Sequence, residues 1–472
     1  MATDQQALRV AVIGGGPGGY PAAFAAARGG HQVTLIDENP ALGGVCLRCG
    51  CIPSKTLLHA ADIMAAAEGA KQFGIEFGEP RISVDGLLGW KDKVIDRMSG
   101  GIAMLARQQK VNVVCGRARF DGPGRLAVEG PDSQLVEFDR AVIATGSSPL
   151  QLPMFPDDPR VLDSTSALDI SGPPKNLLVV GGGYIGLELG SVYAALGTSV
   201  SVVEMTAGLL PGADRDLVRP LQRRLKDEFE NIWLRTRVER AGAFPGGIRC
   251  EFRGEDADVA PAWFDQVLVA VGRKPNSADL GLDSVDVSTD ERGFVRVDGQ
   301  QRTSNASIFA VGDVVGGSML AHKATAEARV AIEAMNGEPA QFDHVAIPAV
   351  VFTDPEIAWC GLTETQARAE GREIRIVRFP WAALGRATAM GRNEGMSKLI
   401  IDPVDERVLG AGVVGVGAGE LIAAQVIAME MGAVASEVAH AIHPHPTTSE
   451  SVMEAAEIFY GASPHYLGRV AK

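Results

Sequence analysis

The hydrophobic positions at the start of the chain form a short apolar run, a glycine-rich turn and a helical pattern of small residues. Residues 8–13 predict a strand that leads into Gly14, and an Ala-rich segment then predicts a helix before a second strand over residues 33–36. Asp37 ends that second strand. This order predicts a β-α-β unit with the pattern G-x-G-x-x-G at its first turn.

The same arrangement occurs a second time. Residues 177–180 and 200–203 predict strands, and Glu204 ends the second of them. In such units the first glycine makes the turn, the second lets the backbone approach a pyrophosphate, the third lets the helix pack on the strand, and the terminal acid binds ribose hydroxyls. One copy alone is a weak signal, but two complete copies predict two dinucleotide-binding domains. The glycines concerned are Gly14, Gly16 and Gly19 in the first turn and Gly181, Gly183 and Gly186 in the second.

Further apolar runs indicate how the domains follow one another. Residues 141–147 and 267–273 predict strands that close the two units, and residues 308–313 predict a return to the first domain. A Ser-Gly-Pro-Pro segment over residues 171–174 marks a border. After about residue 346 the pattern changes to strands of alternating polarity and Ala-rich helices, which predicts a carboxy-terminal domain of different design. The expected fold class is therefore α/β, with two Rossmann-like domains and an α+β domain. The predicted boundaries are 1–150 and 276–345 for the first domain, 151–275 for the second and 346–472 for the third.

Composition narrows the possible partners and location. The chain of 472 residues has a net charge of −14, which argues against nucleic acid because phosphate binding needs clustered Lys and Arg. The apolar stretch over residues 408–434 is interrupted by Glu420, Gln425 and Glu430, so it predicts a strand, a turn and a buried helix and no membrane span. Residues 1–7 lack the apolar core of a secretory signal, and we therefore expect a cytoplasmic protein.

Three of the six cysteines, Cys46, Cys49 and Cys51, lie within six positions. Pro53 and the apolar residues after it predict a helix that runs on from them, and a thiol near a helix amino terminus with Lys55 close by is expected to have a lowered pKa. Cys115, Cys250 and Cys360 stand alone and are expected to pack as small apolar side chains.

Spacing leaves the pairing of the clustered cysteines open. Positions five apart in a regular helix rise about 7.5 Å, beyond the limit of about 6.8 Å for bridged Cα atoms, so a Cys46–Cys51 bridge requires a distorted turn. Cys46 and Cys49 would be bridged with less strain. Two cysteines could also be metal ligands, but the sequence offers no matching second pair, and no metal is expected.

A candidate base lies near the carboxy terminus, in the segment His-Pro-His-Pro-Thr-Thr-Ser-Glu over residues 443–450. Thiol–disulfide chemistry releases and takes up protons, and His titrates near neutral pH. A carboxylate on the far ring nitrogen would orient that His, and Glu450 is the candidate. A surface loop with incidental histidines is the alternative.

The segment G-G-x-C followed by C-I-P-S-K resembles the redox-active segment of the pyridine nucleotide-disulfide oxidoreductase family. The resemblance extends over essentially the whole chain, through the later V-G-D-V and H-P-T-T-S-E segments. It implies that Cys46 attacks substrate, that Cys51 stacks against a flavin, and that His445 is the base with Glu450 as its orienting partner. Cys49 departs from the family pattern. It is expected to be a small loop side chain, with disulfide exchange as the alternative.

The resemblance also implies cofactor contacts for many other residues. Lys55 and Glu188 are similar to an ion pair beside the reactive ring nitrogen of the flavin, with an ordinary buried salt bridge as the alternative. Tyr184 could cover the nicotinamide site or simply pack. For FAD the implied contacts are Gly14, Gly16, Gly19, Asp37, Glu38, Lys55, Gly116, Thr145, Gly146, Ser147, Asp313, Leu320, Ala321 and His322. For the nicotinamide cofactor they are Gly181, Gly183, Tyr184, Ile185, Gly186, Glu204, Val238 and Gly272.

The activity implied by the resemblance is the oxidation of dihydrolipoamide with FAD and NAD as cofactors, in a homodimer whose subunits share each active site. NAD is favoured over NADP because the residues directly after Glu204 include no Lys or Arg. The expected partner is dihydrolipoamide or the lipoyl domain of a 2-oxoacid dehydrogenase or glycine cleavage complex. The alternatives are a related flavin reductase for another low-molecular-weight disulfide and a docking subunit without turnover.

Overall fold

The computed structural model describes residues 7–170, 172–255 and 259–471. The expectations for residues 1–6 and for Ser171 at the predicted border lie outside these ranges. The chain divides into two compact units. The first comprises Met1–Thr56, Asp85–Gln151 and Gly272–Asp343, and the second comprises Leu57–Val84, Leu152–Val271 and His344–Lys472, each within the described residues.

The described strands are β1 Arg9–Ile13, β2 Gln32–Asp37, β3 Asn112–Cys115, β4 Arg117–Phe120, β5 Arg125–Glu129, β6 Gln134–Glu137, β7 Arg140–Ile143, β8 Ser147–Pro149, β9 Val161–Leu162, β10 Asn176–Val180, β11 Ser199–Val203, β12 Asn231–Trp233, β13 Thr236–Phe244, β14 Gly247–Gly254, β15 Ala262–Phe264, β16 Gln266–Val269, β17 Arg273–Pro275, β18 Ile308–Ala310, β19 Ala349–Val351, β20 Ile357–Gly361, β21 Arg375–Pro380, β22 Met396–Ile401 and β23 Val408–Val414.

The described α-helices are α1 Gly19–Arg28, α2 Gly44–Cys49, α3 Cys51–Gly69, α4 Val84–Gln108, α5 Tyr184–Ala195, α6 Arg215–Glu228, α7 Ala321–Met335, α8 Glu364–Glu370, α9 Gly385–Ala389, α10 Ala418–Glu430, α11 Ala435–His440 and α12 Glu450–Phe459. Short 3₁₀ helices cover Ala70–Phe73, Ser166–Leu168, Leu282–Val285, Gly312–Val315 and Trp381–Ala383.

The first unit is built on a parallel sheet with the strand order β18-β7-β1-β2-β3. Its strands are apolar because helices such as α1 and α7 cover one face, where Val12, Leu35 and Phe309 are buried. The other face packs against the antiparallel sheet β4-β5-β6 around Phe120 and Leu126. Strand β18 pairs in parallel with β7, so the chain returns to this sheet after the second parallel sheet has formed.

The second unit contains another parallel sheet, with the order β12-β11-β10-β16-β9. Strands β10 and β11 and helix α5 form the second predicted β-α-β unit. The bounds of the two strands agree with the predicted bounds to within one residue. The antiparallel sheet β13-β14-β15 packs over Leu178, Val203 and Val267.

The carboxy-terminal part of the second unit has the antiparallel sheet β19-β20-β23-β22-β21. Residues 408–434 form β23, a turn and α10, as predicted. The core beside this sheet contains the fully buried Trp381 and Phe379. In the described part of the chain, every helix is too short or too polar to cross a bilayer. The fold is thus α/β, with two Rossmann-like domains and an α+β domain.

A buried charge network joins α6 to the carboxy-terminal sheet within the second unit. The ammonium group of Lys398, whose side chain is 1% exposed, lies 2.6 Å from Asp214, 2.8 Å from Asp216 and 3.0 Å from Glu364. Arg378 adds ion pairs to Asp216 and Glu364. The three carboxylates lie close enough to hold a metal ion, but the Lys398 ammonium already occupies the space that they share.

Candidate active site

In the first glycine turn, two of the three motif glycines lie against other backbone atoms and the third has open space beside it. Gly14 has φ +103°, and a Cβ there would lie 2.3 Å from the carbonyl oxygen of Ala144. A Cβ on Gly19 would lie 1.7 Å from the carbonyl oxygen of Gly14. At Gly16, by contrast, the nearest atom to such a Cβ would be Gly44 Cα at 3.7 Å. The open position is the one at which the motif needs room for a pyrophosphate.

The second turn repeats this division. A Cβ on Gly181 would lie 2.5 Å from the Ala270 carbonyl oxygen, and one on Gly186 would lie 2.3 Å from that of Gly181. No atom lies within 4 Å of a Cβ built on Gly183. Helix α5 begins at Tyr184 directly behind this open space, so its amino-terminal N–H groups and dipole favour an anion there.

Each acid at the end of the second strand bonds the backbone of its own glycine turn. Asp37 accepts a hydrogen bond of 2.6 Å from the Gly15 N–H, and Glu204 accepts one of 2.7 Å from the Gly182 N–H. Glu204 also accepts from the Thr206 N–H at 2.7 Å. Two carboxylate oxygens offer about four acceptor positions, so both acids keep capacity for ribose hydroxyls. Both turns therefore fit a dinucleotide.

A polar group in the first unit brings together two predicted flavin contacts and one residue that the sequence analysis missed. Ser147 donates a hydrogen bond of 2.5 Å to Asp313, and its hydroxyl accepts one of 2.7 Å from Arg273 Nε. Arg273 also lies 3.9 Å from the Asp313 carboxylate. Its position directly after Gly272 at a strand end was the available signal.

Asn276 is a second residue that the sequence analysis missed. Its side chain donates to the Thr145 carbonyl at 2.9 Å, and its backbone N–H donates to the Gly146 carbonyl at 3.0 Å. The Thr145 hydroxyl donates in return to the Asn276 carbonyl at 2.7 Å. These bonds hold the loop after β7 in one conformation. No local motif marked Asn276, because its partners lie 130 residues earlier in the chain.

The other predicted cofactor residues are distributed over both units. In the first unit, Glu38 is exposed, and its carboxylate lies 3.6 Å from the Arg117 guanidinium. Gly116 directly follows β3. Leu320 is the N-cap residue of α7, and Ala321 and His322 are the first two residues of that helix. In the second unit, Tyr184 and Ile185 begin α5, and Val238 is buried in β13. Gly272 belongs to the first unit, where its carbonyl accepts from the Leu150 N–H at 3.0 Å.

The clustered cysteines lie on two helices separated by one residue. Cys51 begins α3, which is the helix predicted to run on from the cysteines, whereas Cys46 and Cys49 belong to α2, and the chain is interrupted between the two helices at Gly50. A Cβ on Gly50 would lie 2.9 Å from the Val45 carbonyl oxygen, and this close approach is open to glycine alone. The interruption brings the thiols of Cys46 and Cys51 into hydrogen-bonding contact, with no disulfide between them.

The expectation of a lowered pKa is wrong for Cys46. The hydrogen bond to Cys51 raises the pKa of the Cys46 thiol above its ordinary value, and burial and the negative charge of Cys51 raise it further. Lys55 acts in the predicted direction, but its effect is smaller. The hydrogen bond and burial therefore favour the protonated form of the Cys46 thiol.

Lys55 and Glu188 were predicted to form an ion pair, and this pairing stays a prediction. Lys55 lies in the first unit, on the second turn of α3, where its ammonium is 3.4 Å from the Ser54 hydroxyl. Glu188 lies in the second unit, on α5. It is 2% exposed and accepts a hydrogen bond of 2.9 Å from the Phe352 N–H.

His445 and Glu450 lie in contact, as their spacing in the chain predicts. His445 Nδ1 lies 2.9 Å from Glu450 Oε1, and the Thr447 N–H donates to Glu450 Oε2 at 2.8 Å. Burial acts to raise the pKa of Glu450, but the hydrogen bonds from Thr447 and His445 outweigh it and hold that pKa below its usual range. The carboxylate stays ionised and fixes Nδ1 as the donor, which leaves Nε2 to accept a proton.

A second His–carboxylate pair lies one turn further along α12. His465 Nδ1 bonds Glu454, whose carboxylate is 3% exposed and also accepts from the Ser463 hydroxyl at 2.6 Å. No local motif marked this pair, because its members are eleven positions apart in the chain.

Two dinucleotide turns, a contacting dithiol and an oriented His together define a class of nucleotide-dependent dithiol oxidoreductases. Residues 8–328 match the model of the pyridine nucleotide-disulphide oxidoreductases, and residues 347–456 match the dimerisation domain of the same family. The chain belongs to the pyridine nucleotide-disulphide oxidoreductase family.

Similar proteins span nearly the whole length. The dihydrolipoyl dehydrogenase of Vibrio cholerae serotype O1 is 46% identical over 96% of this chain and 96% of its own. That of Geobacillus stearothermophilus is 41% identical over 97% of each chain. Among solved structures, LpdA from Mycobacterium tuberculosis has a TM-score of 0.88 at 28% identity, covering 96% of this chain and 99% of that one. The flavoprotein disulfide reductase RclA of Escherichia coli has a TM-score of 0.85 at 29% identity, covering 95% and 99%.

The cofactors of this chain are FAD and NAD, in keeping with its family. The open positions at Gly16 and Gly183 and the polar group around Asp313 fit two such ligands.

Proposed function

We propose that this chain oxidises dihydrolipoamide, free or as a protein-bound dihydrolipoyl group, to the cyclic disulfide and passes the electrons to NAD. The observation that carries the proposal is the contact between the Cys46 and Cys51 thiols at the Gly50 interruption. A pair of thiols in contact can be oxidised and reduced as a unit by a dithiol substrate. The relatives named dihydrolipoyl dehydrogenase supply the substrate class.

The proposed division of labour follows the predicted boundaries. Residues 1–150 and 276–345 bind FAD through the first glycine turn, Asp37 and the Ser147–Asp313 group. Residues 151–275 bind NAD through the second turn and Glu204. Residues 346–472 form the dimer interface, which the match to the dimerisation domain supports. Lys55 and Glu188 are proposed to form an ion pair beside the flavin.

In the proposed reaction, a substrate thiolate attacks Cys46 Sγ in the Cys46–Cys51 disulfide. A bond forms between the substrate sulfur and Cys46, the Cys46–Cys51 bond breaks, and Cys51 leaves as a thiolate. The second substrate thiol gives its proton to His445 and attacks the sulfur bound to Cys46, which closes the substrate disulfide and releases Cys46 as a thiolate. The substrate loses two electrons and the cysteine pair gains them.

The role of the base follows from the state of Cys46. Because hydrogen bonding and burial favour the protonated form of Cys46, its release as a thiolate needs a nearby positive charge. His445 of the partner subunit, once protonated, supplies that charge, and Glu450 keeps the imidazole in the productive tautomer. The proposal therefore requires a homodimer.

FAD and NAD, when bound, supply the electron and hydride transfers that no side chain can perform. The chain holds the two sulfurs in contact, orients the base and binds the anionic groups of both cofactors. Further parts of the proposal are a cytoplasmic location, where thiols stay reduced, and the lipoyl domain of a 2-oxoacid dehydrogenase or glycine cleavage complex as partner.

The test is steady-state turnover of the holoenzyme with dihydrolipoamide, comparing NAD with NADP while following the flavin spectrum. We expect NADH formation with a strong preference for NAD. The Cys51→Ser variant should lose both turnover and the long-wavelength thiolate–flavin absorbance on partial reduction. Cys250→Ala, which removes a buried thiol of β14, serves as the control and should keep both.

Two results would refute the proposal. Protein that binds no FAD would exclude the flavin relay altogether. Protein that binds FAD and reduces another low-molecular-weight disulfide with NADH, but not lipoamide, would place the chain elsewhere in the same family.

A further inference from the structure

The chain carries a third thiol next to the proposed redox pair, and helix geometry determines how near it lies to Cys46. Both Cys46 and Cys49 belong to α2, three positions apart. Residues at this spacing have Cα atoms about 5 Å apart and side chains on the same face of the helix. A disulfide needs Cα atoms about 4.4–6.8 Å apart. Cys46 and Cys49 therefore meet the Cα requirement, whereas their Cβ atoms, about 5–6 Å apart in a regular helix, must approach to within about 4.5 Å.

The two pairings open to Cys46 make different demands on the chain. The contact with Cys51 depends on the interruption at Gly50, where the backbone lies against Val45. A bridge to Cys49 stays within α2 and needs a small backbone shift at Cys49, the last residue of that helix, to bring the two Cβ atoms together. Cys49 is partly buried. The proposed reaction and the proposed cofactor contacts give it no role. The third thiol thus has a reachable partner and no other assigned role.

We propose that Cys49 is a third exchange thiol, which converts the Cys46–Cys51 disulfide into an isomeric Cys46–Cys49 disulfide. The inference rests on the proposed function, since it takes the Cys46–Cys51 disulfide as the starting state. The Cys49 thiolate attacks Cys46 Sγ, the Cys46–Cys49 bond forms, the Cys46–Cys51 bond breaks, and Cys51 leaves as a thiolate. The proton released by Cys49 passes to solvent. The number of disulfides is unchanged, so the step needs no oxidant or reductant.

The isomer differs from the starting state in a way that can be observed. Cys51 becomes a thiolate although nothing has been reduced. If Cys51 lies against the flavin as proposed, the oxidised holoenzyme absorbs at long wavelength before any substrate is added. The isomer lacks the Cys46–Cys51 disulfide with which the substrate reacts. It is therefore a resting form that must convert back to the Cys46–Cys51 disulfide before turnover.

The experiment compares the wild-type holoenzyme with Cys49→Ser, both fully oxidised and free of reductant, in mildly alkaline buffer where more of the attacking thiol is ionised. Free thiols are trapped by alkylation, and the disulfide peptides are mapped without reduction. We expect at least about 10% of wild-type molecules to carry the Cys46–Cys49 bridge. This fraction corresponds to an equilibrium constant between the two disulfides that favours Cys46–Cys51 by about tenfold or less. Long-wavelength absorbance should accompany that fraction. Cys49→Ser should show only Cys46–Cys51 and no such absorbance.

Two further variants, Cys51→Ser and Cys46→Ser, test the inference even if Cys49→Ser does not fold. Cys51→Ser leaves Cys46 and Cys49 as the only clustered thiols, and treatment with oxidised lipoamide should produce the Cys46–Cys49 peptide. Cys46→Ser, treated in the same way, should produce no bridge within the cluster. A Cys51→Ser protein that keeps both thiols free would overturn the inference.

Failure of the inference and failure of the proposed function give different results. If only Cys46–Cys51 is mapped and the long-wavelength absorbance appears solely after partial reduction with dihydrolipoamide, the inference is wrong and the proposed function stands. If neither the oxidised nor the partly reduced protein ever shows that absorbance, the proposed function is refuted and the inference with it.

Discussion

His445 Nδ1 and Glu450 Oε1 lie 2.9 Å apart, on either side of the turn that begins α12. The carboxylate is mostly buried and the imidazole is mostly exposed, with side-chain exposures of 13% and 74%. The partner that orients the ring is therefore fixed by the fold, while the nitrogen that exchanges protons faces outward.

This pair leads to a prediction for turnover. His445→Gln should lower kcat by about 10²–10⁴-fold, the usual contribution of a positioned base, with little change in stability because the ring is exposed. Glu450→Gln should lower kcat by less, since it removes only the orienting charge. Steady-state kinetics and thermal unfolding of both variants check this, with His443→Gln as a matched control on the same loop. Full activity in His445→Gln would remove this residue from the mechanism.

The second glycine turn separates a binding position from a packing position. Gly183→Ala adds a methyl group where no atom lies within 4 Å, so the variant should fold normally but bind NAD more weakly. Gly186→Ala places that methyl group 2.3 Å from the Gly181 carbonyl oxygen and should destabilise the protein by about 1–3 kcal/mol. Denaturant unfolding and NADH titration of the two variants check the contrast. Equal NAD affinity in Gly183→Ala and wild type would argue against a cofactor at this turn.

The buried ammonium of Lys398 should be important for stability. Lys398→Met leaves Asp214, Asp216 and Glu364 with much of their charge uncompensated, and breaking a buried ionic cluster in this way costs about 3–5 kcal/mol. Burial acts to raise the pKa of Asp216, but Lys398 and Arg378 outweigh it and lower that pKa to about 2.

A lowered carboxylate pKa stabilises the fold above the ordinary value of 3.8, and this contribution is lost as the pH falls toward 2. Lys398→Met should therefore lower the unfolding midpoint near neutral pH and weaken the loss of stability on acidification. Lys226→Met, an exposed change on α6, is the control. Unfolding curves that coincide for wild type and Lys398→Met would show that the cluster makes no net contribution.

The bond between His465 and Glu454 should make stability depend on pH in the opposite sense. The hydrogen bond to Glu454, with its negative charge, raises the pKa of His465 above 6.5. The stabilisation is then fully present below about pH 6.5 and is lost as the pH rises through the pKa of the folded state. Because the imidazole is 61% exposed, solvent screening keeps the effect small.

Comparison of thermal midpoints at pH 6 and pH 9 checks this prediction. His465→Gln should reduce the difference between the two midpoints, whereas His443→Gln should leave it unchanged. A pH dependence that is the same in wild type and His465→Gln would contradict the proposed linkage.

Local sequence was sufficient for much of the fold. The two β-α-β units could be predicted because each glycine turn, its flanking strands and its terminal acid are close together in the chain, and their spacing has a direct steric meaning. His445 and Glu450 could be paired for the same reason, because one short turn separates them.

Tertiary structure decided what depends on distant residues or on competing interactions. Asn276 reaches partners about 130 positions earlier, and Lys398 contacts carboxylates at α6 and α8, so no local pattern marked either residue. Arg273 has a visible position at a strand end, but only the fold brings it to Ser147. The pKa of Cys46 turned on the contact with Cys51 and on burial, which outweighed the lowering effect of Lys55 that the sequence made visible. A sequence shows which groups are present, whereas the sign of an electrostatic shift depends on which of them come into contact and how much water remains around them.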